Sequence, residues 1–219
     1  MTAELVIFDM DGVLVDSERI ANRILHEDLR AAGVDLTLEE STRSFVGRKA
    51  GWTVANVRER WGIVLPADFE KRLRERTLAA YEGELRAVDG IEAALDALAL
   101  PYCLASSSDP MRIEKSLSLC GLARRFEGRT FSATQVKNGK PAPDLFLLAA
   151  ATMGFEPARC AVVEDTLVGL AAANAAGMPA FAYAGAGHTP RGELAATGAT
   201  VFDRMAELPA LLILSRAGG

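Results

Sequence analysis

Four runs of the sequence, ELVIF (4–8), PYCLAS (101–106), RCAVVE (159–164) and PAFAYA (179–184), are apolar at nearly every position rather than at every second one. Strands with one wet face alternate; only strands covered on both faces read as continuous apolar runs, and parallel sheets with helices on both faces supply that cover. TVF (200–202) is a weaker candidate strand, and RTFSA (129–133) a possible one. Helical stretches separate these runs. Asp109-Pro110 supplies an N-cap and a first helical residue, and Gly121 ends that helix. Segments 143–154 and 166–177 each finish on a glycine suited to the left-handed residue after a helix. The pattern predicts an α/β fold: a doubly wound, Rossmann-like parallel sheet.

One interval breaks the alternation. Between about Ser17 and Glu82 the sequence offers helical patterns only. Ile20, Ile24, Leu25 and Leu29 form one stripe that closes at Gly33, and Thr37-Leu38-Glu39-Glu40 has the spacing of a capping box. Trp52, Val57 and Trp61 suggest a third helix, and Phe69, Leu73 and Tyr81 a fourth after Pro66. The expected organisation is therefore a core made of residues 1–15 and 85–219, with an all-helical domain, 16–84, inserted after the first strand.

Composition excludes several classes. The 219 residues carry a net charge of −5 with no marked Lys/Arg cluster, which argues against a nucleic-acid partner. No apolar stretch reaches the roughly 18 residues of a membrane span, and Asp9 and Asp11 interrupt the first apolar run where a signal peptide would need continuity. A cytoplasmic monomer is expected. Cys103, Cys120 and Cys160 lack metal-ligand spacing and read as reduced core thiols. His26 and His188 have no companion motif and are expected at the surface, which argues against a zinc hydrolase or a histidine phosphatase.

Ligands of open parallel sheets bind beyond the carboxyl ends of the strands. Asp9 and Asp11 follow the first run, Ser106, Ser107 and Ser108 the second, and Glu164 and Asp165 the run at 159–164; Lys140 lies between, in NGKPAPD. Carboxylates packed together repel, and one takes a proton unless a cation neutralises them. Three or four of them call for a hard divalent ion, most simply Mg²⁺. Mg²⁺ points in turn to phosphate, with the serine hydroxyls and Lys140 as suitable partners. In that setting Asp9 would attack phosphorus, Asp11 would serve as general acid and then base, and Gly12 would allow a tight turn beside the ligand.

DMDGVLVDSE (9–18), LASSS (104–108), KPAPD (140–144) and VVEDTLVGLAAANAAGM (162–178) together resemble the four motifs of the haloacid dehalogenase-like hydrolase superfamily. The spacing and the helical insert are similar to its β-phosphoglucomutase / phosphoglycolate phosphatase branch, over essentially the whole chain. The resemblance implies a Rossmann-like core, a helical cap and Mg²⁺ as cofactor. It implies that Asp9 is the nucleophile and that Asp11 is the acid/base and gives the metal its backbone carbonyl. It further implies that Ser106 and the Ser107 backbone bind the phosphoryl group, that Lys140 neutralises it, and that Asp165 with Glu164 completes the metal site. Thr166 departs from the serine that relatives often carry there.

Asp11 favours phosphate esters, because relatives without an alkoxide leaving group resemble this chain but lack that second aspartate. A mutase of the β-phosphoglucomutase type would carry a histidine in a DTAxxH-like run, whereas this chain reads DSERIA with Ala21 in its place; Glu18 resembles the DSE of phosphatases. A receiver-like signalling module would carry its phosphoacceptor after the third strand, and RTFSA ends without an aspartate. A Walker-type NTPase is excluded because Gly139-Lys140 precedes proline. The expected function is a Mg²⁺-dependent phosphatase acting on a small phosphorylated metabolite, a sugar phosphate or a compound like 6-phosphogluconate. Substrate choice falls to the cap, with Arg48 and Lys49 of FVGRKAG, and Glu18, as candidates for contact with an acidic substrate.

Overall fold

The structure, a computed structural model, describes residues 3–45 and 50–217. Six strands form one parallel sheet: Leu5–Phe8 (β1), Tyr102–Ser106 (β2), Thr130–Ser132 (β3), Cys160–Glu164 (β4), Ala180–Tyr183 (β5) and Thr200–Phe202 (β6). The order across the sheet is β3-β2-β1-β4-β5-β6, so the chain winds one way from β1 to β3 and the other way from β4 to β6. The reversal falls between β1 and β4, where Leu5 pairs with Cys160 and Phe8 with Val163. Both weak strand candidates, RTFSA and TVF, are realised, as β3 and β6.

All four residues of β1 are fully buried, and a strand sends successive side chains to opposite faces. Leu5 and Ile7 join a layer with Leu145, Phe146 and Ala149 of Asp144–Met153 and with Leu170 and Ala173 of Leu167–Ala175. On the alternate face Phe8 meets Tyr102 edge-on, with ring centroids 6.1 Å apart. Cys103, Cys120 and Cys160 are free and buried as expected; burial pushes the Cys103 thiol up to about 12, so it acts as packing and not as a nucleophile.

Ten α-helices occur among the described residues. Ser17–Ala31 (α1), Leu38–Phe45 (α2), Ala50–Trp61 (α3) and Phe69–Glu84 (α4) lie between β1 and β2 in sequence. They are followed by Ile91–Ala97 (α5), Pro110–Leu119 (α6), Asp144–Met153 (α7), Leu167–Ala175 (α8), Arg191–Ala196 (α9) and Leu208–Ala217 (α10). None of the described helices is long and apolar enough to cross a membrane. The expected caps are present. Asp109 accepts from Arg112 N at 3.0 Å, and Thr37 and Glu40 exchange backbone and side-chain hydrogen bonds of 2.7 and 3.2 Å.

The chain divides into two compact units, one of residues 1–16 and 86–219, the other Ser17–Leu85. The second unit, helical throughout its described secondary structure, has its own core. Leu25, Leu29, Val34, Leu36, Phe45, Val57, Leu65 and Phe69 pack together there, so all four helices contribute to one shared cluster. In the first unit the segments that leave and re-enter the sheet are tied to each other. Asp16 N donates to Arg86 O at 2.9 Å, Val88 N donates to Leu14 O at 3.0 Å, and Val15 bridges Ala87 in antiparallel sense. Leu29 is fully buried at the centre of the helical unit. Leu29→Ala is expected to lower the unfolding free energy of that unit by about 2–5 kcal/mol, read as an earlier transition in urea.

Candidate active site

The site begins where the β1 ladder stops. Asp9 N still donates to Val163 O at 2.9 Å, so the sheet itself fixes the backbone of the first aspartate beside the end of β4. Gly12 then turns with φ of +80°, and a Cβ there would overlap Asp165 Oδ2. The glycine is required twice over, by its backbone conformation and by the approach of a carboxylate. Asp9, Glu164 and Asp165 are all buried, and each offers a carboxylate oxygen within 4.8 Å of the others.

Lys140, whose side chain is 4% exposed, reaches into this cluster from the loop before α7. Its Nζ donates to Asp9 Oδ1 at 2.5 Å and to Glu164 Oε1 at 2.8 Å. Burial pushes the Asp9 carboxyl well above the ordinary carboxylate range, and Glu164, Asp165 and Asp11 add to that push while Lys140 opposes it. Burial also opposes the charges on Lys140 and Glu164. Attraction prevails there: Asp9 and then Glu164 hold the ammonium above the ordinary lysine range, and Lys140 and Thr166 hold Glu164 below that of a free glutamate.

Glu164 is heavily committed. Its Oε2 accepts from Asp165 N, Thr166 N and Thr166 Oγ1, each at 2.9 Å, while Oε1 takes Lys140. Gly169, in the first turn of α8, lacks the Cβ that would overlap this carboxylate. The N-cap of α8 is Thr166, whose Oγ1 accepts from Gly169 N at 3.1 Å. The hydroxyl that follows the two acids, and neither acid itself, takes the capping position.

Asp11 stands in different surroundings. Its side chain is 18% exposed, and it accepts from Ser108 Oγ at 3.0 Å and from an Arg112 Nη at 2.8 Å. Ser106 ends β2 buried, its Oγ accepting from Ser108 N at 3.0 Å; Ser107, between them, is exposed. Ser132, at the end of β3, donates to Ser108 O at 2.7 Å and braces the loop from the neighbouring strand. The core residues singled out from the sequence, Asp9, Asp11, Ser106, Ser107, Lys140, Glu164 and Asp165, thus lie at or beside the strand ends flanking the reversal of winding. Of the other candidates, Glu18 is half-buried in the first turn of α1, and Arg48 and Lys49 fall outside the described residues.

Two groups escaped the sequence reading. Arg112 could have been found from its place three residues after the N-cap of α6, in the turn nearest the strand ends. His188, expected at the surface, has a side chain only 3% exposed, with Nε2 3.1 Å from Asp165 Oδ2. It follows β5, and the strand-end rule applied to that strand would have pointed to it. Chemically, three carboxylates against one ammonium leave an excess of negative charge and an all-oxygen donor set, which fit a hard divalent cation.

The sequence matches the haloacid dehalogenase-like hydrolase family over residues 3–177. It is 29% identical over 209 residues to the 6-phosphogluconate phosphatase of Escherichia coli K12, covering 95% of this chain and 94% of that one. A haloacid dehalogenase-like protein of Agrobacterium tumefaciens has a similar solved structure, with a TM-score of 0.93 and 35% identity over 97% of this chain and 99% of that one. A hydrolase of the same family from Deinococcus radiodurans, solved with bound phosphate and sodium, gives a TM-score of 0.86 at 33% identity, covering 97% and 96% of the two chains.

Removal of the buried ammonium should expose its importance. Lys140→Met is expected to destabilise the metal-free protein by about 3–5 kcal/mol at neutral pH, because it leaves buried carboxylates without their partner. The loss should shrink as the pH falls and those carboxyls become neutral, which thermal denaturation at a series of pH values would reveal.

Proposed function

The chain belongs to the haloacid dehalogenase-like hydrolase family, and from that premise we propose that it is a Mg²⁺-dependent phosphatase working through an aspartyl-phosphate. Its substrate is a small phosphorylated metabolite of the sugar-phosphate or 6-phosphogluconate class. The observation that carries this reading is the contrast between two aspartates two residues apart. Asp9 is buried against Lys140, whereas Asp11 is partly exposed and held by Ser108 and Arg112. Two carboxyl groups in unlike surroundings can take unlike roles in one reaction.

In the first half-reaction a carboxylate oxygen of Asp9 attacks phosphorus, the bond from phosphorus to the substrate oxygen breaks, and Asp11 delivers a proton to the departing alkoxide. In the second, Asp11 takes a proton from water as that water attacks the phosphorus; inorganic phosphate leaves and Asp9 is regenerated. Ser106 Oγ already accepts from Ser108 N, which orients the hydroxyl so that its own proton can be given to a phosphoryl oxygen. Lys140 offsets negative charge beside the nucleophile. Asp9 and Asp165 would hold Mg²⁺ with the backbone carbonyl of Asp11, and Glu164 would brace them. The ion would neutralise phosphoryl oxygens and the crowded carboxylates alike.

The helical unit serves in this reading as a cap that selects the substrate. Arg48 and Lys49 would meet an acidic group on it, with Glu18 contributing near the point of entry. The resemblance to a 6-phosphogluconate phosphatase over nearly the whole of both chains supports an acidic sugar phosphate as substrate.

Phosphate release from a panel containing 6-phosphogluconate, hexose and pentose phosphates, phosphoglycolate and β-glucose 1-phosphate tests the proposal. Release should vanish with EDTA, return with Mg²⁺, and be abolished by Asp9→Asn; Asp11→Asn should lower kcat by about 10²–10⁴-fold. Activity near wild type in Asp9→Asn would overturn the mechanism. Conversion of β-glucose 1-phosphate to glucose 6-phosphate without phosphate release would make the protein a mutase.

A further inference from the structure

A histidine that had no evident role in the sequence lies against the buried carboxylate cluster, and the loop that carries it is shaped to deliver it there. After β5 the chain reads AGAGHTP (184–190). Ala184 N donates to Phe202 O at 2.8 Å, which anchors the loop to the end of β6. Gly185 passes so close to Asp203 O and the Tyr183 hydroxyl that a Cβ would overlap both. Gly187, with φ of +75°, closes a tight turn by donating its N–H to Ala184 O at 3.0 Å. This turn brings His188 back over the neighbouring strand β4, beside Asp165.

The contact is enclosed. The Asp165 side chain is fully buried and that of His188 is 3% exposed; Nε2 and Oδ2 lie 3.1 Å apart, an ion-pair contact by distance in which the ring N–H is not aligned on the oxygen as a hydrogen bond. The third wall is Gly12, where a Cβ would overlap Asp165 Oδ2 and come within 3.2 Å of His188 Cε1. Loops from the ends of β1, β4 and β5 therefore meet at one carboxylate, and the imidazole is the group among them able to donate a side-chain N–H to it. A buried carboxylate is held in place only when its oxygens are hydrogen-bonded or ion-paired. The partners that orient metal-ligating side chains govern metal affinity nearly as strongly as the ligands themselves.

We propose that His188 is a positioning residue for Asp165: from its place 3.1 Å away, a turn of the ring that aims a protonated Nε2 at Oδ2 fixes the orientation of the carboxylate and thereby sets the affinity of the site for a divalent cation. This rests on the assignment of Asp165 to the Mg²⁺ site under the proposed function.

The test is calorimetric titration of the full chain with Mg²⁺, without substrate, for the wild type, His188→Leu, His188→Gln and Asp165→Asn. His188→Leu is expected to weaken Mg²⁺ binding by about 10–100-fold. The Mg²⁺ concentration that half-saturates turnover should rise by the same factor, with kcat and KM recovering at high Mg²⁺. His188→Gln, whose amide N–H can reach the same oxygen, should restore most of the affinity. If the leucine variant does not fold, His188→Phe replaces it, keeping a ring but no donor. Wild-type affinity in His188→Leu, or equal losses in the leucine and glutamine variants, would overturn the positioning role. Failure of the wild type to bind Mg²⁺, or undiminished binding by Asp165→Asn, would instead overturn the metal assignment beneath it.

Discussion

The ammonium of Lys140 is what allows the end of the sheet to be acidic at all. Asp9 follows β1 and Glu164 ends β4, and both are buried; burial first, and the neighbouring carboxylates after it, push the Asp9 carboxyl towards the neutral form. One cation donating to both, at 2.5 and 2.8 Å, joins the end of β4 to the residue that follows β1 and opposes that push. The loop that delivers it is stiffened locally: Asn138 donates to Asp144 at 3.1 Å, and Ala142 N donates to Gly139 O at 3.0 Å. A buried lysine is expensive, and this one is retained because its two partners are themselves buried and cannot find water.

Around that ammonium the carboxylates divide their work. Glu164 gives one oxygen to Lys140 and the other to three donors at the start of α8, so it serves chiefly as a brace between the sheet and that helix. Asp9 is fixed at its backbone by the last bond of the β1 ladder. Asp11 is held through a serine and an arginine, with more exposure to solvent. Such gradation from rigid to accessible within a few residues is a consequence of building a site at strand ends, where hydrogen bonding to the sheet runs out one residue at a time.

Much of this was legible in the sequence because burial on both faces leaves an unmistakable trace. ELVIF and RCAVVE read as covered strands, and the acids directly after them had to lie at the sheet edge. Even short TVF and RTFSA carried enough apolar character to be placed. What escaped notice depends on direction rather than composition. Whether His188 faces solvent or Asp165 is decided by a turn at Gly187 and a close approach at Gly185, and neither has a periodic signature. Ser107 and Ser108 look alike in the sequence; the first is exposed and the second buried on Asp11 because of how the chain leaves β2. Arg112 was hidden for the same reason, since a charged residue in a first helical turn is ordinary until the neighbouring strand end supplies an aspartate.

The paired segments around Val15 and Ala87 carry a consequence for how freely the chain can change. Because Asp16 and Arg86 are joined by a backbone hydrogen bond, the sheet meets the whole helical insert as a single excursion whose two feet stand side by side. Closing such an excursion costs little more for a long segment than for a short one, since the entropy of joining its ends grows only with the logarithm of its length. The junction is therefore a splice point. What lies between those feet can be lengthened, shortened or exchanged without disturbing the register of a single strand, so the insert and the sheet are free to change independently.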